Sequence, residues 1–255
     1  MRGWLVIGAG AVLLVAALAI EAPATLLDRR AAGLSEGHVR IAAATGSVWR
    51  GSGELALVPD GTRVPIAWRL DPMSLLRGEL AGSIVVDDAR APAKFAVGSQ
   101  DFSVHDFSIA LPAAAVLRNA GMPDAASIIG GTLLLEASDL ARHDDRLEGR
   151  ADLRWRDASL PGTQAGTRIA LGELRIAAAG SGTEIPATIS NSGGEVDVSG
   201  NLVLSMRALP KVDARIRPRA GLPVERAQAI GNALSSIGMA DGTGGYHIVW
   251  PLLGR

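Results

Sequence analysis

The 255-residue chain contains no cysteine, which excludes disulfides, thiolate metal sites and a cysteine nucleophile. Aromatic residues make up only 4% against 48% hydrophobic, so the core must be built from Ala, Val, Leu and Ile. A sugar-stacking surface would have little to draw on. The net charge of -1 leaves no global field to gather nucleic acid, and none is expected as a partner. Histidine is sparse: His38, His105, His143 and His247 lie 38 or more residues apart, with no HxxxH or HExxH spacing. His105-Asp106 and His143-Asp144 are adjacent pairs, but neighbours on a strand face opposite sides. No P-loop or calcium loop occurs, and no metal or cofactor is expected. Gly33–Gly37 matches the G-x-S-x-G nucleophile elbow around Ser35. That motif needs a strand before it and a helix after it, and here the order is reversed. Gly51-Ser52-Gly53 is the start of a dinucleotide fingerprint without the helix that would cap a phosphate, and it reads as a bend. No catalytic residue is assigned, and the chain is expected not to be an enzyme.

Only one long apolar run is present. Trp4–Ile20 carries no charged or strongly polar side chain and, with its flanks, reaches about 20 residues, enough to span a bilayer as a helix. Trp4 would sit at one interface. A signal peptide is the rival reading, because Ala22-Pro23-Ala24 has the small–x–small form of a cleavage site. Against it stand a charged region of only Met1-Arg2 and an apolar run longer than the usual 7–15 residues. The expected organisation is therefore a transmembrane anchor over 1–22, a juxtamembrane segment over 23–37 and a β-rich exported domain over 38–255. Arg2 and the amino terminus favour a cytoplasmic start, although Arg29 and Arg30 weaken that bias.

The remainder holds 31 glycines and 13 prolines, which favours many short strands. Gly46–Val86 is the clearest stretch. Leu55 and Leu57 alternate with Glu54 and Ala56, then Pro59–Thr62 supplies a turn. Val64, Ile66, Trp68 and Leu70 follow on one face, opposite Arg63, Ala67 and Arg69. Asp71-Pro72 opens a single helical turn that Gly78 closes. Parity switches predict irregularities at His105-Asp106 and at Gly172. Pro112–Ala120 predicts a short helix. Glu195–Leu204 and Lys211–Arg217 alternate cleanly, the antiparallel pattern with one buried and one solvated face. Pro223–Ile237 predicts the one amphipathic helix of normal length, with Val224, Ala227, Ile230, Leu234 and Ile237 on its apolar face. Tyr246, Ile248 and Trp250 form a last strand. Trp68-Arg69 and Trp155-Arg156 echo each other and are compatible with two similar halves, about 38–140 and 141–255.

Two residue sets invite a binding role. Arg207, Lys211, Arg215, Arg217 and Arg219 form the densest basic cluster, and Lys211, Arg215 and Arg217 share one strand face. This face is either a charge-protected solvated surface or a docking patch for an acidic partner or lipid headgroups. Trp49, Trp68, Trp155 and Trp250 are read as core markers in preference to a stacking platform.

Four segments in order, EAPATLL, GSVWRGSGEL, VPIAWRLDPMSLLRGELAG and ALSSIGMADGTGGYHI, resemble the type II secretion system protein N family (general secretion pathway protein N). The resemblance implies a single-pass inner-membrane protein of Gram-negative bacteria with a curved, largely antiparallel β-sheet periplasmic domain. It implies no enzymatic activity, and partners among the other secretion components. The family also looks similar to AsmA-type proteins that handle lipid. The alternative function is therefore a lipid-handling groove, in which Leu55, Leu57, Val64, Ile66, Val196 and Val198 would stay open and apolar.

Overall fold

The computed structural model describes residues 22–58, 61–87, 89, 91–119, 121–162, 167–205 and 208–250. The apolar run Trp4–Ile20, Pro59-Asp60 and Arg207 lie outside the described residues. Among the described residues no helix is long and apolar enough to cross a membrane. The chain divides into two compact units, Met1–Ser99 and Gln100–Arg255. Both are mainly β, antiparallel and unclosed, with a few short helices. The break falls well before residue 140, because Leu140 lies inside a long strand that runs on to His143.

In the first unit, helix α1 (Thr25–Leu34) precedes β1 (Val39–Gly46), β2 (Arg50–Leu57), β3 (Arg63–Asp71), a 3₁₀ turn (Pro72–Arg77), β4 (Leu80–Val86) and β5 (Ala93–Val97). Each strand pairs antiparallel with the next. The alternation in β3 resolves as expected: Val64, Ile66, Trp68 and Leu70 are buried, and the residues between them are exposed. The 3₁₀ turn also follows the sequence. Asp71 Oδ1 accepts the Met73 N–H at 3.0 Å, Pro72 occupies the first position, and Gly78 closes the turn at φ 76°. β1 carries a bulge at Ala43, whose φ is 50°.

Asp28 fastens α1 to β1. Its carboxylate accepts from the Arg40 guanidinium at 2.8 and 2.6 Å and from the Ile41 N–H at 2.9 Å. The Arg40 hydrogen bond outweighs burial and, helped by the Ile41 amide, lowers the carboxyl pKa from 3.8 to about 2. Because the folded-state value is depressed, this stabilisation is complete above the unfolded value and is lost as pH falls through about 2. Urea titrations should therefore show Asp28→Asn less stable than the parent at neutral pH. The gap should close below about pH 4. A gap independent of pH would contradict the assignment.

The second unit contains β6 (Phe102–His105), β7 (Phe107–Pro112), α2 (Ala113–Asn119), α3 (Pro123–Ile128), β8 (Gly130–His143), β9 (Arg146–Pro161), β10 (Arg168–Gly182), β11 (Glu184–Ser192), β12 (Val196–Ser205), β13 (Lys211–Pro218), α4 (Val224–Leu234), β14 (Met239–Ala240) and β15 (Tyr246–Trp250). Its strands lie in the order β8-β9-β10-β11-β12-β13-β15-β14, and both β6 and β7 pair with β8. Both parity switches mark real irregularities. Asp106, at φ 56°, breaks β6 from β7, and β8 answers with Asp139 at φ 53° and a register shift between Ser138 and Ala141. Gly172, at φ 79°, sits in a register shift against β9. Nearby, Asn191 donates to the carbonyls of Leu171 (2.7 Å) and Val196 (2.8 Å) and accepts from the Val198 N–H (2.7 Å), stitching three strands together.

The core of this unit includes Ile169, Leu171, Ile185, Ile189, Val196, Val198 and Ile216. Helix α4 closes over it with Ile230 (0% exposed) and Leu234 (1%). Val224 and Ile237, expected on the same apolar face, are exposed. Val224 is the first helical residue and Ile237 lies past the last, so the packed stripe is confined to the turns between them.

Candidate interaction surfaces

The candidates for catalysis do not assemble. Ser35 follows α1 and precedes β1, and its hydroxyl is spent on the main chain. It donates to the Ala31 carbonyl at 2.7 Å and accepts the Val39 N–H at 2.9 Å. His105 Nδ1 lies 2.8 Å from Asp139, His247 Nε2 lies 2.7 Å from Asp213, and His143 is near Asp101 and Glu148 at 3.7 and 3.8 Å. These three histidines thus meet carboxylates from other segments, and His105 and His143 do not pair with the aspartates beside them in sequence. No group of three or more metal-binding side chains occurs among the described residues.

Trp68 and Trp155 act as core markers. The Trp68 indole N–H donates to the carbonyls of Ser47 (3.2 Å) and Val48 (3.0 Å), and that of Trp155 donates to Gly130 (2.8 Å). Gly51 is a strand residue and not a bend, correcting the sequence reading. It pairs with Trp68, and a Cβ there would come within 2.5 Å of the indole ring. The two Trp-Arg dipeptides therefore share a device, an indole seated against glycine with its N–H spent on backbone. The Trp49 side chain is half-buried, and that of Trp250 lies outside the described residues.

Lys211, Arg215 and Arg217 do share the exposed face of β13. Acids are interleaved with them. Lys211 Nζ is 3.6 Å from Glu184, Arg217 Nε is 3.4 Å from Asp197, and Arg219 Nε is 3.1 Å from the same carboxylate. Arg215 stands opposite His247. It also helps hold the Asp241 carboxyl below its ordinary range, after the larger effects of hydrogen bonds from Thr243 and Gly245. The face is charge-balanced, so it does not present a field of one sign.

Two further carboxylates organise the second unit. Glu195 grips Arg226 of α4 at 2.6 and 2.7 Å and accepts the Ala170 N–H at 3.0 Å. The Arg226 bonds lead in lowering its pKa. Asp152 lies between Arg175 and Arg154. Burial alone would raise its pKa, and the two guanidinium groups reverse the direction.

The groove required for lipid handling is not found where it was expected. Leu57, Val64, Ile66, Val196 and Val198 are buried and Leu55 is half-buried. In the second unit α4 packs over the face that would have to stay open.

Sequence reading missed the most apolar exposed feature of the first unit. In the 3₁₀ turn the one buried residue is polar Ser74, while Met73 (61% exposed), Leu75 (49%) and Leu76 (79%) point outward. The Ser74 hydroxyl donates to the Asp71 carbonyl at 2.6 Å and accepts the Ala81 N–H at 3.0 Å, which holds the turn in this inverted setting. A short turn has one inward position, and the serine at its centre was the available signal. Beside the turn, Arg50 and Arg69 are directly opposite across β2 and β3 and border a concavity of about 670 Å³ with Ser52, Ala67 and Ser83. Neither has an ion-pair partner among the described residues. Like charges so placed repel unless something neutralises them.

No curated protein and no solved structure matches the chain. Residues 37–249 match the family model described as Type II secretion system (T2SS), protein N, which takes in most of both units. The succession of strands, the capped turn and the terminal helix-and-strand segment thus lie in one matched span, and the chain belongs to the type II secretion system protein N family.

Proposed function

We propose that the protein is a non-enzymatic component of the type II secretion apparatus. It is anchored in the inner membrane by Trp4–Ile20, with the bulk of the chain in the periplasm, and it works through contacts with other secretion components. The observation that carries this reading is the junction at residue 22. Only Glu21 separates the apolar run from Ala22, whose carbonyl accepts the Val48 N–H at 2.8 Å. Pro23 bridges to Ser47, and Ala24 is buried and bonded to Gly46. A peptidase cutting after Ala24 would remove residues on which the first sheet closes. Residues 22–24 are thus tied into the first sheet, which supports an uncleaved anchor. Family membership supports the secretion role, and the β13 face around Lys211, Arg215 and Arg217 is a surface for protein contacts.

The test is to fractionate cells producing the full chain, wash the membranes at alkaline pH, and crosslink before purification. The reading expects full-length protein in washed inner membranes, a C-terminal tag open to protease only once the outer membrane is breached, and recovery of secretion components. Release of a shortened chain beginning at Thr25 would overturn the anchor. Recovery of phospholipid alone would overturn the contact role.

A further inference from the structure

We propose that the 3₁₀ turn Pro72–Arg77 rests in the headgroup layer of the bilayer that Trp4–Ile20 enters, giving the first unit a second contact with that lipid surface. This rests on the anchor reading above. Three independent observations converge on it.

The first is topological. β2 starts at Arg50, opposite Arg69 near the end of β3, and the Leu70 N–H donates to the Trp49 carbonyl at 2.7 Å. The 3₁₀ turn therefore emerges at the same end of the sheet as the 47–49 turn. Residues 22–24 are hydrogen-bonded to that same turn and its flank. The point where the chain leaves the apolar segment and the exposed turn share one end of one unit. With a single residue between Ile20 and Ala22, that end is held at the membrane surface, since one residue reaches less than about 4 Å.

The second is the inverted turn itself. Met73, Leu75 and Leu76 are costly to leave in water, yet the Ser74 hydrogen bonds fix them on the outer side of the turn. Val97, paired with Leu80 just after the turn, adds another exposed apolar side chain at this end. Ser74 and the Asp71 cap hold the display rigid, so little ordering is lost on burying it.

The third is charge. Asp71 and Glu79 are both engaged by Arg77, at 3.8 and 2.8 Å. Arg50 and Arg69 remain as exposed cations, as suits an anionic phosphate layer beside an apolar insertion.

The absence of cysteine makes the test direct, because any introduced thiol is unique. The full chain is reconstituted into vesicles of phosphatidylethanolamine and phosphatidylglycerol carrying lipid-borne spin-label quenchers, with a fluorophore at Leu76→Cys or at Val58→Cys. Val58 is also exposed and lies at the opposite end of β3, roughly 25 Å away. Inserted protein should show severalfold stronger lipid quenching at Leu76→Cys than at Val58→Cys, and Met73→Asp combined with Leu75→Asp should abolish the difference. Equal quenching in protein that resists an alkaline wash would overturn this proposal and leave the anchor standing. Failure to insert at all would overturn both. Protection of the Leu76 label only when secretion components are added, without lipid quenching, would assign the turn to a protein partner and overturn the lipid contact. Both label positions are exposed, and matching thermal melts of the two variants exclude misfolding as a cause.

Discussion

Gly172→Val should destabilise the second unit by about 4 kcal/mol and lower its melting temperature by about 10 °C, followed by circular dichroism. Two effects combine. The residue lies at φ 79°, a conformation that β-branched side chains avoid. A Cβ there would also meet the Ser192 carbonyl and approach the Gly193 carbonyl carbon to 2.6 Å, and both are backbone atoms that cannot rotate away. Gly193 is the control. Its φ is 70°, yet nothing lies within 4 Å of where its Cβ would stand. Gly193→Asn should change stability by less than about 1 kcal/mol, since asparagine tolerates the left-handed region. Equal melting of the Gly172 variant and the parent would mean that the strand passes this corner in another way.

Ile230→Ala is the second large effect, at about 3 kcal/mol. Ile230 has no exposed surface and stands in the core with Val196 and Ile216, so truncation leaves a cavity beneath α4. The Arg226–Glu195 clasp still ties the other part of the helix to the sheet, which limits the damage to packing. Val224→Ala on the same helix should change stability by no more than about 0.5 kcal/mol, because Val224 is largely exposed. Denaturant unfolding separates the two. If both variants behave alike, α4 does not cover the core.

The strands with one wet face and one dry face were legible from period two alone, β3, β12 and β13 above all. So were both irregularities, since a left-handed residue flips every later side chain to the other face. β11 was not legible although Ile185, Ala187 and Ile189 alternate cleanly, because Pro186 breaks the pattern that marks an inner strand. Pro186 is accommodated just beyond the ladder to β10, which stops at the Ala178–Ala187 pair. The ends of β8 and β9 were hidden for another reason. Their charged sequence reads as a loop, yet a two-residue Asp144-Asp145 turn carries it as a hairpin, with Asp144 at φ 52° in place of the usual glycine or asparagine. For the surfaces, the shared face of Lys211, Arg215 and Arg217 was readable and its neutralisation was not. Glu184 and Asp197 arrive from other strands, and only register brings them there. The outward Met73, Leu75 and Leu76 were hidden likewise, since which side of a short turn packs is decided by Asp71 and Ala81 through Ser74.

The fastening of α1 along β1 decides what this end of the protein can recruit. β1 is the outermost strand of its sheet, and an outermost strand ordinarily invites a neighbour's chain to continue the ladder. Here the Asp28 carboxylate takes the Ile41 N–H, residues 22–24 bond the far end, and the Ala43 bulge disturbs the middle. No uninterrupted row of donors and acceptors is left for strand addition. Any partner of this margin must be recognised by side chains, and copies of the protein are kept from zipping together through it.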